Sequence, residues 1–292
     1  MIDTDFVYAR PETAEEAVLA WQEFTGKGSM AAESVRYLGG GTEIVTGARK
    51  GAIPAAVIDI KRVAEALRLE VSDGRLHIGA ALPLNEAGDS RLFPLLTATA
   101  RGIADRTTRN RLSVGGNIAG TLPYREAVLP FLLADATVLT IRPGDGGGPP
   151  RRDERPLRAL FDKRLRLEPG ELVLGFSVSA AAASLPWKHY RATRSASVDY
   201  PLVTACFLDL RGAASGAAVA AGAGTGGTAV AHDRVAVAVS GLHPYPVFFE
   251  SMAAFRAALA DPGIARTDQR ATGAYRLALA ADMLRRAEEE LP

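Results

Sequence analysis

Three consecutive glycines follow a short apolar segment near the start of the chain, and they constrain its fold more than any other feature. Residues 35–38 (VRYL) predict a strand, and Gly39, Gly40 and Gly41 come directly after it. Glycine adopts positive φ at no steric cost, so successive N–H groups of such a turn can converge on one point and bind an anion. Thr42 adds a hydroxyl donor. The motif by itself is equally compatible with a tight turn that binds nothing.

The residues around this turn predict a small β-α-β unit. Thr13, with Glu16 three places later, is a capping-box pattern, and apolar residues follow it at helical spacing. Residues 56–60 predict another strand. The glycine triplet does not fit G-x-G-x-x-G, which opens a helix in dinucleotide-binding folds of the Rossmann type. No P-loop pattern occurs either.

A second glycine turn lies in the segment TRNRLSVGGNIA. Ser113 precedes the pair Gly115-Gly116, and Asn117, whose amide both donates and accepts hydrogen bonds, follows it. One glycine pair is weak support for a binding site, and Asn117 could simply cap the turn. Two such turns, each expected at a strand–turn junction, favour a ligand with two phosphates, or with a phosphate and a ribityl chain.

The remaining pattern predicts two domains. Residues 1–180 form the first, with subdomains of about 1–60 and 61–180, and residues 181–292 form a smaller α+β domain. In the first domain we expect helices at 92–105 and 127–135, strands at 138–141 and 172–178, and an exposed hairpin tip at 144–156. In the second we expect an antiparallel sheet from residues 202–210, 217–221 and 235–239, and helices at 248–259 and 272–291.

Composition limits the function. The chain has 292 residues and a formal net charge of +1, which provides no global attraction to nucleic acid or to an anionic membrane. Cys206 is the only cysteine, whereas an iron–sulfur cluster takes four thiolates. The four histidines show no metal-ligand spacing. No signal-peptide pattern and no run of about 20 apolar residues is present, so we expect no membrane insertion and a cytoplasmic protein.

The two glycine segments, YLGGGTEIV and TRNRLSVGGNIA, resemble the flavin-contacting segments of the FAD-binding subunit of molybdenum hydroxylases. That family includes xanthine dehydrogenases, carbon monoxide dehydrogenases and related oxidoreductases of N-heterocycles and aldehydes. The resemblance covers nearly the whole chain. It implies FAD as the cofactor. It also implies an α+β fold, in which a two-subdomain FAD-binding fold of the vanillyl-alcohol-oxidase/PCMH type precedes a small α+β C-terminal domain with an antiparallel sheet plus helices.

The resemblance also implies which residues contact FAD, and it implies no catalytic acid or base and no metal. The first segment would wrap the pyrophosphate with main-chain amides of Tyr37, Leu38, Gly39, Gly40, Gly41, Thr42, Glu43 and Ile44. The second would contact the phosphates or the ribityl chain through Ser113, Val114, Gly115, Gly116 and Asn117. Apolar positions of the flavin or adenine pocket align with Ile103 and Leu174. Glu126 stands where the family usually has an Asp that bonds the cofactor, and Tyr190 where some members have a Lys near the isoalloxazine.

In such enzymes a large molybdenum-cofactor subunit oxidises the substrate and a small subunit carries two 2Fe-2S clusters. The flavin subunit takes electrons from these clusters and passes them to NAD, a quinone or oxygen, in a complex expected to be a dimer of heterotrimers. Two alternatives stay open. One is a stand-alone FAD oxidoreductase of the same fold, like UDP-N-acetylenolpyruvylglucosamine reductase, and the other is a flavin-free assembly subunit.

Overall fold

The computed structural model describes residues 5–26, 29–196, 198–212 and 234–291. The first region is a parallel three-stranded sheet of order β1-β3-β2. Its elements, in chain order, are β1 (Val7–Ala9), α1 (Ala14–Thr25), β2 (Val35–Leu38), α2 (Thr42–Ala48) and β3 (Ala56–Asp59). The glycine triplet joins β2 to α2, so the predicted strand followed by a glycine turn is confirmed.

Helix α1 begins where the sequence predicts. The Thr13 hydroxyl accepts a hydrogen bond from the amide of Glu16 at 3.1 Å, and the Glu16 carboxylate accepts from the amide of Thr13 at 3.3 Å. The helix buries Ala14, Ala17 and Val18 against the sheet. Its reciprocal cap satisfies two amides that a helix start otherwise leaves unpaired.

The second region is an antiparallel sheet of order β4-β5-β10-β6-β7 with short helices packed around it. Strand β10 is central and nearly all of it is buried, which agrees with the mostly apolar character of residues 172–178. The elements are β4 (Leu69–Ser72), β5 (Arg75–Gly79), α3 (Leu84–Asp89), α4 (Pro94–Gly102), α5 (Arg106–Arg109), α6 (Val114–Ala119), α7 (Val128–Leu133), β6 (Thr137–Arg142), β7 (Arg151–Pro156), α8 (Leu157–Leu160), β8 (Phe161–Asp162), β9 (Arg164–Leu165), β10 (Leu172–Ser179) and α9 (Ala180–Ala183).

The predicted hairpin tip at 144–156 is too long, because its second half is the edge strand β7. Charged side chains of β7 form ion pairs that could not be predicted from the sequence. Arg152 lies 2.7 Å from Glu15 of α1, and Asp153 lies 2.9 Å from Arg142 on β6. Charged residues on an edge strand are common, since they discourage pairing with another chain.

The third region is an antiparallel sheet of order β11-β12-β13-β14 with two helices on one face. Its elements are β11 (Trp187–Thr193), β12 (Pro201–Asp209), β13 (Val235–Ser240), β14 (Val247–Phe249), α10 (Met252–Leu259) and α11 (Gly273–Glu290). Strands β12 and β13 confirm two predicted strands, whereas the predicted strand at 217–221 lies outside the described residues. The helix predicted from 248 begins later, because residues 247–249 pair with β13 and Ser251 caps α10.

Both faces of β12 are buried, and each belongs to a different core. Cys206 and Leu208 share a cluster with Phe131 and Phe176 of the second region. Phe207, on the opposite face, packs with helices α10 and α11. The third sheet is thus fixed against the second region, and the predicted α+β class is confirmed. Within the described residues, no helix has both the length and the apolar character needed to cross a bilayer.

Candidate cofactor-binding cleft

The two glycine turns line one cleft of about 700 Å³. The first turn contributes residues 39–44, the second contributes Ser113, Gly116 and Asn117, and Ile103 and Glu126 also face the space. Tyr37 lines the cleft from β2, and its hydroxyl donates to the carbonyl of Gly170 at 2.9 Å. Burial raises the pKa of this phenol above its ordinary value. The two glycine turns, which are about 70 residues apart in the sequence, therefore line the same cleft.

The turns touch each other where side chains are missing. A β-carbon built on Gly40 would lie 1.8 Å from the carbonyl oxygen of Arg111, and one on Gly39 would lie 2.7 Å from the hydroxyl oxygen of Ser113. No side chain fits at the first of these positions without moving backbone. Gly40 is therefore required for the packing of one turn on the other. The resemblance implied for this glycine only that its amide would help to wrap the pyrophosphate.

The first turn offers unpaired amides. Across the described part of the chain, no backbone or side-chain acceptor takes a hydrogen bond from the N–H groups of residues 39–44. Gly41 has φ of 77°, which turns the chain into α2, and its carbonyl accepts from Val45 at 2.9 Å. The start of a helix leaves N–H groups without intrahelical partners, and such groups favour anionic ligands.

The second turn has a different construction from the one expected. It follows helix α5, not a strand, and it is itself the start of helix α6. Ser113 caps this helix, since its hydroxyl accepts from Gly116 at 3.2 Å. The amides of Val114 and Gly115 donate to the carbonyls of Leu82 and Ala80, at 2.9 and 2.8 Å. These amides are thus occupied, and the turn faces the cleft with side chains of Ser113 and Asn117.

Four of the expected contact residues lie outside the cleft, and three of them, Val114, Gly115 and Leu174, are buried. Val114 packs in the core of the second region, and Leu174 packs in the core beneath α1. A β-carbon on Gly115 would lie 2.6 Å from that of Ala80. Leu38 turns its side chain toward Gly41. None of Leu38, Val114, Gly115 and Leu174 lines the cleft, whereas the resemblance implied a main-chain contact from Leu38, a turn contact from Val114 and Gly115, and an apolar lining contact from Leu174.

Tyr190 also lies outside the cleft, and its neighbour Arg191 takes the expected place. Successive side chains of a strand point to opposite faces. Tyr190 therefore packs on Phe207 beneath the guanidinium of Arg286, whose central carbon is 4.4 Å from the ring centroid. Arg191 faces the cleft. The resemblance placed Tyr190 near the cofactor, whereas the next residue along β11, Arg191, is the one that lines the cleft.

Glu126 is an acceptor for protein donors. The Nε of Arg191 donates to its Oε1 at 2.9 Å, and the hydroxyl of Thr204 donates to the same oxygen at 2.6 Å. The carboxylate is almost completely buried. Sequence reasoning expected it to bond the cofactor directly, whereas the structure joins it to β11 and β12.

An aromatic pair that the sequence did not reveal lines another part of the cleft, its aromatic end. The rings of Tyr124 and Tyr200 stack with centroids 4.9 Å apart and an interplanar angle of 21°. The Tyr124 hydroxyl accepts from Arg266 at 2.7 Å. Arg270 pairs with Asp199 and holds the pKa of that carboxyl below its ordinary range. The exposed apolar side chains Leu122 and Val198 complete this end.

The cleft thus has two chemically distinct parts. One carries the unpaired amides, with the cations Arg36 and Lys50 on the same segment of the chain. The other is the aromatic end, where the cations Arg266 and Arg270 lie against the rings of Tyr124 and Tyr200. Arg125 also lines the cleft, and burial lowers its pKa while the charge of Glu43 opposes that effect. A molecule with two phosphates and a flat aromatic ring matches both parts, so the residues present fit FAD.

Comparisons with known proteins agree. A family model described as "FAD binding domain in molybdopterin dehydrogenase" matches residues 4–179. The medium chain of carbon monoxide dehydrogenase from Hydrogenophaga pseudoflava is 26% identical over 200 residues, which span 66% of this chain and 66% of that protein.

Solved structures share the fold over nearly the whole chain. A carbon monoxide dehydrogenase from Hydrogenophaga pseudoflava, lacking the Mo-pyranopterin moiety of its cofactor, gives a TM-score of 0.77 at 24% identity, covering 99% of this chain and 98% of that chain. Quinoline 2-oxidoreductase from Pseudomonas putida 86 gives 0.69 at 19% identity, covering 98% and 96%. The resemblance drawn from the glycine segments is confirmed. This chain belongs to the family of FAD-binding domains of molybdopterin dehydrogenases, whose cofactor is FAD.

Proposed function

We propose that this chain is the electron-transferring flavin subunit of a molybdenum hydroxylase and that it holds FAD in the cleft described above. One observation carries the proposal: the six amides of residues 39–44 have no acceptor among the described residues and border the cleft. We place the pyrophosphate on these amides and the isoalloxazine at the Tyr124–Tyr200 end. Residues 1–180 would be the FAD-binding domain and 181–292 the C-terminal domain.

The second turn would act through side chains. The Ser113 hydroxyl accepts from Gly116 and keeps its own hydrogen for a ligand. Asn117 accepts from Ala127 through Oδ1 at 3.1 Å, which orients its amide nitrogen as a donor. Two neutral donors at this position suit a phosphate or a ribityl hydroxyl. The diphosphate would thus bind amides of the first turn on one side and side chains of the second turn on the other.

FAD supplies the redox chemistry, and the protein binds it, orients it and shapes its electrostatic surroundings. A relay of this kind requires no general acid or base from the chain. Cys206 is buried and lies 3.7 Å from the Thr99 hydroxyl, and burial raises the pKa of its thiol to about 12. A single inert thiol supports a division of labour in which a partner carries the iron–sulfur clusters.

Cofactor binding is tested by reconstitution. The purified chain, incubated with FAD and passed through a desalting column, should retain one FAD per chain and be yellow. ADP should compete with FAD better than FMN does, because ADP offers the diphosphate that the first turn is proposed to bind. A folded chain that retains no FAD would overturn the proposal, and FMN competing as well as ADP would overturn the orientation.

Partners and acceptor are tested in the native host. A tagged chain should co-purify with a large molybdenum-containing polypeptide and a small cysteine-rich one, as a dimer of heterotrimers, and in the cytoplasmic fraction. The reduced complex should pass electrons to NAD, a quinone or oxygen. The likeness to a carbon monoxide dehydrogenase medium chain supports this assembly. A chain that is active alone would favour the stand-alone reductase instead.

A further inference from the structure

A buried ion pair forms part of the wall of the FAD cleft. The side chains of Glu126 and Arg191 are only 4% and 10% exposed, and both line the cleft. Nε of Arg191 lies 2.9 Å from Oε1 of Glu126, and Nη2 lies 3.4 Å from Oε2. The approach of two nitrogens to two oxygens is the arrangement in which an arginine–carboxylate pair is best oriented.

The pair is held in place from several sides. The Thr204 hydroxyl donates to Glu126 at 2.6 Å, and Nη2 of Arg191 donates to the carbonyl of Asp199 at 2.6 Å. Gly102 lies beneath the arginine, since a β-carbon there would be 2.7 Å from its Cδ. Three other parts of the chain, at Gly102, Asp199 and Thr204, thus fix these two charges. They are a preorganised electrostatic element, not mobile surface groups.

Their place within the cleft is at its aromatic end. Arg191 is bonded to Asp199, which directly precedes Tyr200, and Glu126 follows Tyr124 by two residues. Tyr124 and Tyr200 are the stacked rings of that end. With the isoalloxazine at this end, as the proposed function states, the ion pair belongs to the charged surroundings of the ring, together with Arg266 and Arg270.

Fixed charges near a redox group shift its equilibrium. Reduction adds electrons to the flavin, so a neighbouring cation favours the reduced form and a neighbouring anion favours the oxidised form. Interactions between charges are stronger in a buried environment than in water. Glu126 and Arg191 therefore act on the flavin in opposite directions, and their near cancellation depends on both being present.

We propose that the Glu126–Arg191 pair sets the reduction potential of FAD in this subunit, with Arg191 raising it and Glu126 lowering it. The inference rests on the proposed function, because it needs the ring at the aromatic end of the cleft. It assigns positioning and electrostatic roles to two residues without placing either in a bond-making step.

The test is an anaerobic redox titration of the full chain reconstituted with FAD. Glu126→Gln keeps the size and the acceptor oxygen but removes the negative charge. It should raise the ratio of reduced to oxidised flavin at a fixed potential about tenfold, which is about 30 mV for a two-electron couple. Arg191→Gln should shift the ratio in the opposite direction by a similar factor. The double variant should return close to the unmodified chain.

Two further variants separate charge from folding. Arg191→Lys retains a cation and should change the potential less than Arg191→Gln. Asp209→Asn removes a carboxylate from another ion pair on β12, with Arg211 at 2.7 Å, that does not line the cleft, and it should leave the potential unchanged. If Arg191→Gln does not fold, Glu126→Gln and the double variant still decide the matter.

The outcomes distinguish the two proposals. Variants that bind one FAD per chain with unshifted potentials, or with shifts in the same direction for Glu126→Gln and Arg191→Gln, would overturn this inference and leave FAD binding intact. An unmodified chain that binds no FAD would overturn the proposed function itself.

Discussion

At the scale of single residues, the cleft depends on positions where a side chain is absent. Gly40 packs against the backbone of Arg111, so the contact between the two glycine turns passes through it. Gly47, seven residues later on α2, is different, because a β-carbon there would lie 3.8 Å from its nearest neighbour. The two glycines form a matched pair for experiment.

Gly40→Ala should abolish FAD retention and destabilise the fold by about 1–3 kcal/mol, the usual cost of forcing an extra carbon into packed structure. Gly47→Ala should retain FAD and stabilise the fold by up to about 1 kcal/mol, because alanine is the better residue within a helix. Desalting with FAD and urea unfolding measure both effects. Full FAD occupancy in Gly40→Ala would show that the turns do not need their close contact.

Ser113 caps a helix and is also proposed to bind FAD, whereas Ser251 only caps a helix. Both serines cap helices, accepting from backbone amides at 3.2 and 3.1 Å, but only Ser113 lines the cleft. Ser113→Ala and Ser251→Ala should each cost about 1 kcal/mol of stability through loss of a cap. Only Ser113→Ala should weaken FAD binding, which titration of flavin fluorescence measures. Equal FAD affinities in the two variants would confine Ser113 to capping.

At the scale of helices and strands, the sequence predicted elements whose pattern is strong. Helix α1 has a capping box, and β10 and β12 are mostly apolar, so their burial could be anticipated. Helix α6 was interpreted as a turn, because glycine is a poor helix former. What stabilises its first turn is long-range, since its amides bind the carbonyls of residues 80 and 82.

Strand β11 was missed for a related reason, and this led to the wrong residue in the cleft. Both of its faces are partly buried, one toward the cleft and one toward α11, so the segment WKHYRAT shows no alternation of apolar and polar residues. The choice between Tyr190 and Arg191 depends on the pairing of β11 with β12, which places Arg191 opposite Thr204. The local sequence of β11 does not determine how this strand pairs with β12.

His189, on the same strand, should make the stability of the fold depend on pH. Burial lowers the pKa of His189 to about 4, and its Nε2 has no partner among the described residues. In the unfolded chain the ring binds a proton near its ordinary pKa of 6.5. Between these values the unfolded state binds more protons, so stability falls as the pH drops from about 6.5 to about 4.

His189→Leu should remove this part of the pH dependence. The loss in the unmodified chain should be on the order of 2 kcal/mol, because one pKa unit corresponds to about 1.4 kcal/mol and the ring is partly exposed. Urea midpoints at pH 7 and pH 4.5 measure the loss in each protein. Carboxylates contribute equally to the pH dependence of both proteins, so the difference between the two losses reports on His189 alone. Equal pH dependence in both would mean that His189 does not titrate below its ordinary range.

At the scale of the whole molecule, the cleft is built from all three regions. The first turn contributes the unpaired amides of residues 39–44, the second region contributes Ser113 and Asn117, and the third region contributes Arg191 and Tyr200. The second and third regions also share one hydrophobic core, in which Phe131 and Phe176 pack with Cys206 and Leu208. We therefore expect the second and third regions to unfold together, and a ligand in the cleft would contact both of them.

FAD should accordingly raise the melting temperature of the entire chain in a single transition. At a free FAD concentration 100 times the dissociation constant, binding to the folded state alone adds about 2.7 kcal/mol of stability. For a chain of this size that corresponds to a rise of about 5 °C. Differential scanning calorimetry measures the rise, and Gly40→Ala, which should not retain FAD, is the control that should show none. Two transitions, of which FAD moves only one, would mean that the third sheet contributes little to holding the cofactor, and the roles given to Arg191 and Tyr200 would then be untenable.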